Sequence, residues 1–171
     1  VMDVGQGDGI LLENDTGTTY FIDGGSTSVK NLEQYRITPC LKSKGIAKID
    51  YAIVTHMDQD HISGLIELLE KSNEPGAIII ETLVLPDTTL KDEAYLEMIE
   101  LANLKNVHVM YLKKGDKIKD GELSLLCMHP YEGFQTEERN DYSTVLLLEY
   151  HKFSMLFTGD VANEGEKALI D

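Results

Sequence analysis

Residues 51–62 read YAIVTHMDQDHI and join an apolar run to a group of polar side chains. Tyr51–Thr55 is typical of a buried strand, and the apolar spacing over Ile62–Lys71 predicts an amphipathic helix. The loop between them therefore lies at the carboxyl end of a strand, where α/β folds place their functional residues. Imidazole and carboxylate groups are ligands that divalent cations accept. We interpret the loop as a metal site with four candidate ligands: His56, Asp58, Asp60 and His61.

The order of the ligands in this loop allows two neighbouring ions. His56 and Asp58 can point to one side, whereas Asp60 and His61 turn with the chain into the helix. The alternative is a polar loop in which Asp60 caps the helix and the histidines have no function. That alternative leaves unexplained why two of the 5 histidines in the chain lie so close to two aspartates.

Strands and helices alternate on both sides of this loop. The predicted strands are Val1–Val4, Ile10–Glu13, Tyr20–Asp23, Tyr51–Thr55, Ala77–Leu85, Val107–Leu112, Gly121–His129, Ser143–Tyr150 and Phe153–Thr158. The predicted helices cover about 29–44, with a break at Pro39, then 62–71, 89–102 and the residues from 162 onward. The pattern predicts one α/β domain over residues 1–171, with antiparallel strands early and late and helix–strand alternation between them.

Composition excludes several classes of protein. The chain has 171 residues, of which 42% are hydrophobic and 26% charged, so it is long and apolar enough for a folded core. It contains no apolar run of about 20 residues, the length that a membrane span needs. A net charge of −15 argues against a broad basic surface for phosphates, and is explained by solubility or by carboxylates that hold cations. Cys40 and Cys127 are too far apart for a zinc ribbon or a disulfide framework.

The loop at 56–61 resembles the HxHxDH signature of the metallo-β-lactamase superfamily, written here HxDxDH with Asp58 in place of a histidine. Phe157-Thr158-Gly159-Asp160 resembles the strand-terminal Asp that bridges two metals in that family, and Asp23-Gly24-Gly25 resembles its (I/V)DxG turn. The resemblance covers essentially the whole chain. It implies an αββα sandwich and two divalent metal ions, zinc or manganese.

A more specific resemblance comes from Met2–Asp8, which contains DVGQGD, together with SxVLxLEY before FTGD. These motifs are similar to the C-terminal domain of the ComEC family of DNA-uptake competence proteins. The resemblance implies a nuclease that hydrolyses DNA, in a soluble domain at the cell-surface side of a bacterial cytoplasmic membrane, with no membrane contact by this segment. Secreted choline-phosphate esterases have similar openings, so a hydrolase of small or choline-linked phosphate esters is an alternative. A degenerate, non-catalytic domain of the uptake channel is another.

The resemblance also assigns roles to individual residues. His56 would belong to the first metal site, Asp60 and His61 to the second, and Asp160 would bridge them. Asp58 would either bind metal directly, which favours manganese or magnesium over zinc, or orient water. Asp58 and Asp60 are the candidate catalytic residues.

Other assignments stay open at the level of sequence. The third ligand of the first site is His129, Asp141 or Asn140, or no protein ligand at all. Asp8 and Asp23 are either turn residues or groups that steady a metal-binding histidine. The family continues to a further histidine, whereas this chain begins at Val1 without a methionine and ends 11 residues after Asp160. We therefore expect a fragment with an incomplete sandwich, whose site is weakly occupied or empty.

Overall fold

The computed structural model describes residues 1–170 and places two β-sheets face to face. The strands are β1 (Ile10–Glu13), β2 (Thr19–Ile22), β3 (Lys48–Ile53), β4 (Ile79–Pro86), β5 (His108–Leu112), β6 (Lys117–Asp120), β7 (Leu123–His129), β8 (Val145–Tyr150) and β9 (Phe153–Phe157). The helices are α1 (Thr38–Ser43), α2 (Gln59–Lys71), α3 (Glu93–Leu104) and α4 (Asn163–Ile170), with a π-helical segment at Glu33–Ile37 and a 3₁₀ turn at Asn140–Tyr142.

The first sheet has the order β1-β2-β3-β4-β5 and the second the order β6-β7-β8-β9. In the first sheet, β2 to β5 are parallel and β1 is antiparallel to β2. Parallel neighbours need long crossover connections, and α1, α2 and α3 fill them. The second sheet is an antiparallel meander. This is the antiparallel–parallel–antiparallel order that the sequence predicts.

Two hydrophobic cores hold these layers together. One lies between the first sheet and its helices, where Phe21 of β2 packs with residues such as Leu65 of α2. The other lies between the sheets, where Tyr20 and Ile22 of β2 face residues such as Leu146 of β8. Because successive side chains of a strand point to opposite faces, β2 serves both cores and all four of its residues are buried. With α4 against β7 of the second sheet, the predicted αββα sandwich is confirmed.

Three element predictions are wrong. Val1–Val4 is not a strand, because the chain folds back there and the Met2 N–H donates to the Gly9 carbonyl. The edge strand β6 was not expected, because its sequence KIKD has Ile118 as its one apolar residue. Pairing with β7 forms this strand despite its polar sequence. No break occurs at Pro39, because the chain stays helical from the π-helical segment Glu33–Ile37 into α1, whose first turn contains the proline.

None of the helices in residues 1–170 is both long and apolar enough to cross a membrane.

Candidate metal centre

The loop between β3 and α2 brings two histidine rings together. Asp58 has extended backbone angles and precedes α2, and its carbonyl accepts hydrogen bonds from the His61 and Ile62 N–H groups. The chain therefore turns between His56 and His61, and their ring centroids lie 4.1 Å apart. Asp60 lies inside the first turn of α2, so it is not the residue that caps this helix.

His61 is oriented by Asp23, the residue that follows β2. The Asp23 carboxylate accepts hydrogen bonds from the Thr55 N–H at 2.9 Å and the Thr55 hydroxyl at 2.8 Å, and its Oδ2 lies 2.9 Å from His61 Nδ1. Because Nδ1 faces Asp23, the other ring nitrogen of His61 is directed toward the Asp160 carboxylate, 3.5 Å away. Asp23 thus orients His61 through a hydrogen bond to one ring nitrogen, as a carboxylate does for a metal-binding histidine.

His56 is fully buried and has a free ring nitrogen. The Thr55 hydroxyl gives its one proton to Asp23, so it accepts a hydrogen bond from His56 Nδ1 at 3.1 Å. That bond fixes the tautomer and leaves a lone pair on His56 Nε2. Within residues 1–170 this Nε2 has no hydrogen-bond partner, and Asp58 Oδ2 is 3.5 Å away. Buried polar atoms without hydrogen-bond partners are rare, so this nitrogen is a candidate to bind an ion.

Asp160 approaches the histidines from the second sheet. Its carboxylate is part of a group with His56 and His61 in which one ligand atom from each lies within 4.8 Å of the others. The turn after β9 comes close to the loop because Gly159 has a positive φ of 51°, and a Cβ there would lie 2.8 Å from the Thr55 Cβ. Two imidazoles and a carboxylate form a donor set that fits a divalent transition-metal ion.

Asp8 enters a second such group, with Asp23 and His61, again within 4.8 Å. From the sequence, Asp8 and Asp23 have the same two alternatives: each is a turn residue or a group that steadies a metal-binding histidine. The structure brings both carboxylates beside His61. Burial raises the pKa of Asp8, and the carboxylates of Asp23, Asp160 and Asp60 raise it further against the lowering effect of His61.

The electrostatics of the two histidines differ. Burial and the neighbouring His61 lower the pKa of His56, so its ring is neutral at physiological pH. Burial also acts to lower the pKa of His61, but the hydrogen bond to Asp23 and the charges of Asp23, Asp160 and Asp60 outweigh it and raise that pKa to about 9. Carboxylates therefore outnumber cationic groups around His61, as expected of a site that holds a cation.

Arg139 is a site residue that the sequence did not indicate. Its guanidinium donates to the Met57 carbonyl at 3.0 Å and to Asp58 Oδ1 at 3.1 Å, and its Nε donates to Asp92 at 2.6 Å. Asp92 also accepts from the Tyr95 N–H and thereby caps α3. Arg139 therefore links the loop between β3 and α2, here called the metal loop, to the residue that caps α3. It also leaves Asp58 Oδ2 free on the side of His56.

The two candidates for the third ligand bond to each other, and within residues 1–170 each has one buried atom without a hydrogen-bond partner, His129 Nδ1 and Asp141 Oδ1. His129 Nε2 donates to the Asp141 carbonyl at 2.8 Å, and the His129 ring packs edge-on against Phe134 with centroids 4.7 Å apart. The Asp141 carboxylate accepts from the Thr136 hydroxyl at 3.0 Å. Neither side chain belongs to the groups around His61. The carboxylate of Asp60 is also outside them, although its charge acts on His61.

An open cleft of about 470 Å³ adjoins Asp58. It is lined by Asp58, Glu137, Glu138, Arg139, Asn140 and Asn163. Three carboxylates face one guanidinium there, so the cleft is acidic.

Comparison with known sequences gives two matches that cover the chain. The sequence profile described as the Metallo-beta-lactamase superfamily matches residues 2–171. ComE operon protein 3 of Bacillus subtilis (strain 168) is 29% identical over 185 aligned residues, which cover 100% of this chain. The chain spans 23% of the length of that relative.

Solved structures with the same fold include two with TM-scores above 0.5. The metallo-beta-lactamase fold protein YhfI from Bacillus subtilis has a TM-score of 0.61 at 12% identity, over 90% of this chain and 55% of that one. CmlA, a diiron beta-hydroxylase from Streptomyces venezuelae, has a TM-score of 0.55 at 18% identity, over 92% of this chain and 30% of that one. At these identities the likeness concerns the fold alone.

Proposed function

The chain belongs to the metallo-beta-lactamase superfamily, and on that premise we propose that it is a metal-dependent hydrolase domain that cleaves phosphodiester bonds in DNA. The relationship to ComE operon protein 3 supports a role in bacterial DNA uptake, within a longer membrane protein. Our proposal places this domain at the cell-surface side of the cytoplasmic membrane. DNA is the proposed substrate of that longer protein. The relationship covers the whole chain, which is why we prefer this substrate to other phosphate esters.

The observation that carries the proposal is the free nitrogen of His56. This side chain is fully buried, its Nδ1 is held by Thr55, and its Nε2 has no hydrogen-bond partner within residues 1–170. Asp58 Oδ2 lies beside that nitrogen. A fold does not bury an imidazole with one unpaired nitrogen next to carboxylates without cost, and a bound divalent ion removes that cost.

The proposed ligands divide between two ions, zinc or manganese. His56 and Asp58 would hold the first, Asp60 and His61 would hold the second, and Asp160 would contribute to both. Bound ions of this kind supply Lewis-acid activation of water and of a phosphoryl oxygen for in-line displacement. Asp58 and Asp60 are the proposed catalytic carboxylates.

The remaining residues of the chain hold these groups in place. Asp23 fixes the ring of His61, and Thr55 fixes that of His56. Arg139 holds one oxygen of Asp58, so that the other faces His56. His56, His61 and Asp58 are therefore each held by a neighbouring side chain, which is the arrangement that precise sites require.

A hydrolase of choline-linked phosphate esters is the second candidate, and the acidic cleft favours it. Glu137, Glu138 and Asp58 would attract a quaternary ammonium group and repel a DNA backbone. Removing the negative charge of these carboxylates should therefore have opposite effects on the hydrolysis of the two substrates. A Glu137→Gln/Glu138→Gln variant is expected to cleave DNA faster and a choline ester more slowly than wild type if both reach the cleft.

The first experiment is a calorimetric titration with Mn²⁺ and Zn²⁺. Wild type, His56→Gln and Asp60→Ala are compared with His108→Gln, a matched control in which an exposed histidine of β5 is changed. We expect His56→Gln to lose binding and His108→Gln to keep it. Wild-type affinity in the His56→Gln variant would contradict the proposed centre, and wild-type affinity in Asp60→Ala would remove Asp60 from it.

Substrate class is tested on the Mn²⁺-loaded chain with single-stranded DNA and with p-nitrophenyl phosphorylcholine. Hydrolysis of DNA that is lost in Asp58→Asn supports the nuclease. Hydrolysis of the choline ester alone supports the second candidate. A chain that binds Mn²⁺ and hydrolyses neither supports the degenerate, non-catalytic domain.

A further inference from the structure

Asp8 and Asp23 both lie beside His61, but their carboxylates differ in how they are used. Asp23 is 2% exposed and accepts two hydrogen bonds from Thr55 and one from His61. Its oxygens are therefore committed to protein groups. Within residues 1–170, no group donates a hydrogen bond to the Asp8 carboxylate. Of the two carboxylates, only that of Asp8 is free to bind an ion.

The backbone holds Asp8 in this position firmly. The Asp8 N–H donates to the Asp60 carbonyl at 3.0 Å, and the Asp8 carbonyl accepts from the Gly25 N–H at 3.1 Å. Gly7 makes this contact possible, because a Cβ there would lie 2.4 Å from the carbonyl oxygens of both Asp60 and Gly25. These hydrogen bonds hold the loop that contains Asp8 between the turn after β2 and the first turn of α2. These contacts fix the backbone position of Asp8.

The charges around Asp8 are mostly negative. Its carboxylate lies within 4.8 Å of the ligand atoms of Asp23 and His61, and the charges of Asp160 and Asp60 also reach it. Four carboxylates thus surround one imidazole. The four carboxylates outnumber this imidazole even when it is protonated, so the group keeps a net negative charge that would attract a divalent cation.

We propose that Asp8 contributes a carboxylate oxygen to the divalent ion on the His61 side of the centre, whereas Asp23 only orients His61. The inference rests on the proposed metal-dependent function and adds a ligand from the first loop of the chain. It gives the Gly5–Gly9 loop a chemical purpose: the glycines bring one carboxylate to the ion.

The test is a titration with Mn²⁺ alone, combined with thermal unfolding of the metal-free chain. Three conservative variants are compared: Asp8→Asn, Asp23→Asn and Asp3→Asn. Asp3 is the matched control, because it lies in the same segment with a side chain that is 78% exposed. We expect Asp8→Asn to weaken Mn²⁺ binding by at least about tenfold while the metal-free chain melts at the same temperature or higher.

The other variants separate binding from structure. Asp23→Asn is expected to lower both the Mn²⁺ affinity and the melting temperature, and Asp3→Asn to change neither. Mn²⁺ binding by Asp8→Asn as tight as in wild type would overturn the inference while leaving the proposed centre intact. A fall in the metal-free melting temperature of Asp8→Asn equal to that of Asp23→Asn would also overturn it, in favour of a structural role. A wild-type chain that binds no Mn²⁺ would instead overturn the proposed centre, and the inference with it.

Discussion

Strands β2 and β9, which lead to site residues from the two sheets of this domain, are covered to very different degrees. In the first sheet all four residues of β2 are buried, and the strand leads to Asp23, which is 2% exposed. In the second sheet four of the five residues of β9 are exposed, and the strand leads to Asp160, whose side chain is 48% exposed. The first sheet thus holds its site residues inside a core, and the second presents one carboxylate from its surface.

This difference indicates how the centre is divided. His56, His61 and Asp23 are fixed by buried hydrogen bonds that exist without metal. Within residues 1–170 the Asp160 carboxylate accepts no comparable hydrogen bond, and it lies 3.5 Å from His61. We therefore expect the histidine side to be preformed and stability-determining, and the Asp160 side to depend on the ion for its order.

The largest expected effect is the loss of stability when a leucine is replaced by alanine, compared between the first-sheet core and strand β9. Leu65→Ala should lower the free energy of unfolding by about 3–4 kcal/mol, because it opens a cavity between α2 and the first sheet. Leu156→Ala should change it by less than about 1 kcal/mol, because that side chain of β9 is 51% exposed. Urea denaturation of both variants measures the difference. Equal losses would show that the second sheet is as well packed as the first.

The next comparison uses the two aspartates that end β2 and β9. Asp23→Ala leaves the Thr55 N–H and His61 Nδ1 without their buried acceptor, so we expect a loss of about 2–3 kcal/mol and weaker metal binding. Asp160→Ala should weaken metal binding without destabilising the metal-free chain. Denaturation and Mn²⁺ titration together distinguish the two. A destabilised Asp160→Ala chain would contradict the division proposed above.

A smaller effect is expected at Arg139, which joins Asp58 to the cap of α3. Arg139→Gln should cost about 1 kcal/mol, at the low end for a charged hydrogen bond because the guanidinium is a third exposed and screened by water. Asp92→Asn is the matched variant, since asparagine keeps the helix cap but weakens the ion pair. If Asp92→Asn is as stable as wild type while Arg139→Gln is not, the contact with the metal loop carries the effect.

The smallest perturbation probes the two cysteines. Burial raises the pKa of Cys127, in the core between the sheets, to about 12. At pH 8 about one thiol in ten thousand would be ionised, so we expect one fast reaction with a thiol reagent, at the half-buried Cys40, and a much slower second one. Mass spectrometry of the labelled chain assigns each. Rapid labelling of Cys127 would show that the sheets separate readily.

The central part of the site was predictable because it is local in sequence. His56, Asp58, Asp60 and His61 lie within one loop, and the strand before it and the helix after it have clear apolar patterns. Arg139 was not predictable, because it meets Asp92 and Asp58 across 47 and 81 residues of chain. A lone arginine in a polar loop gives no sign of such partners. The edge strand β6 was missed for the same reason, since its pairing with β7 forms it and its apolar content does not.

The sequence by itself determined the class of fold, most of the order of strands and helices and the loop that carries the candidate ligands, because these depend on short-range periodicity and on residue type. Only the tertiary structure decided which groups meet. It separated Asp23, with three hydrogen bonds, from the free carboxylate of Asp8, and it paired His129 with Asp141 outside the groups around His61. The reason is physical: a carboxylate or imidazole is a ligand only if packing leaves its lone pair unpaired and aimed at the site.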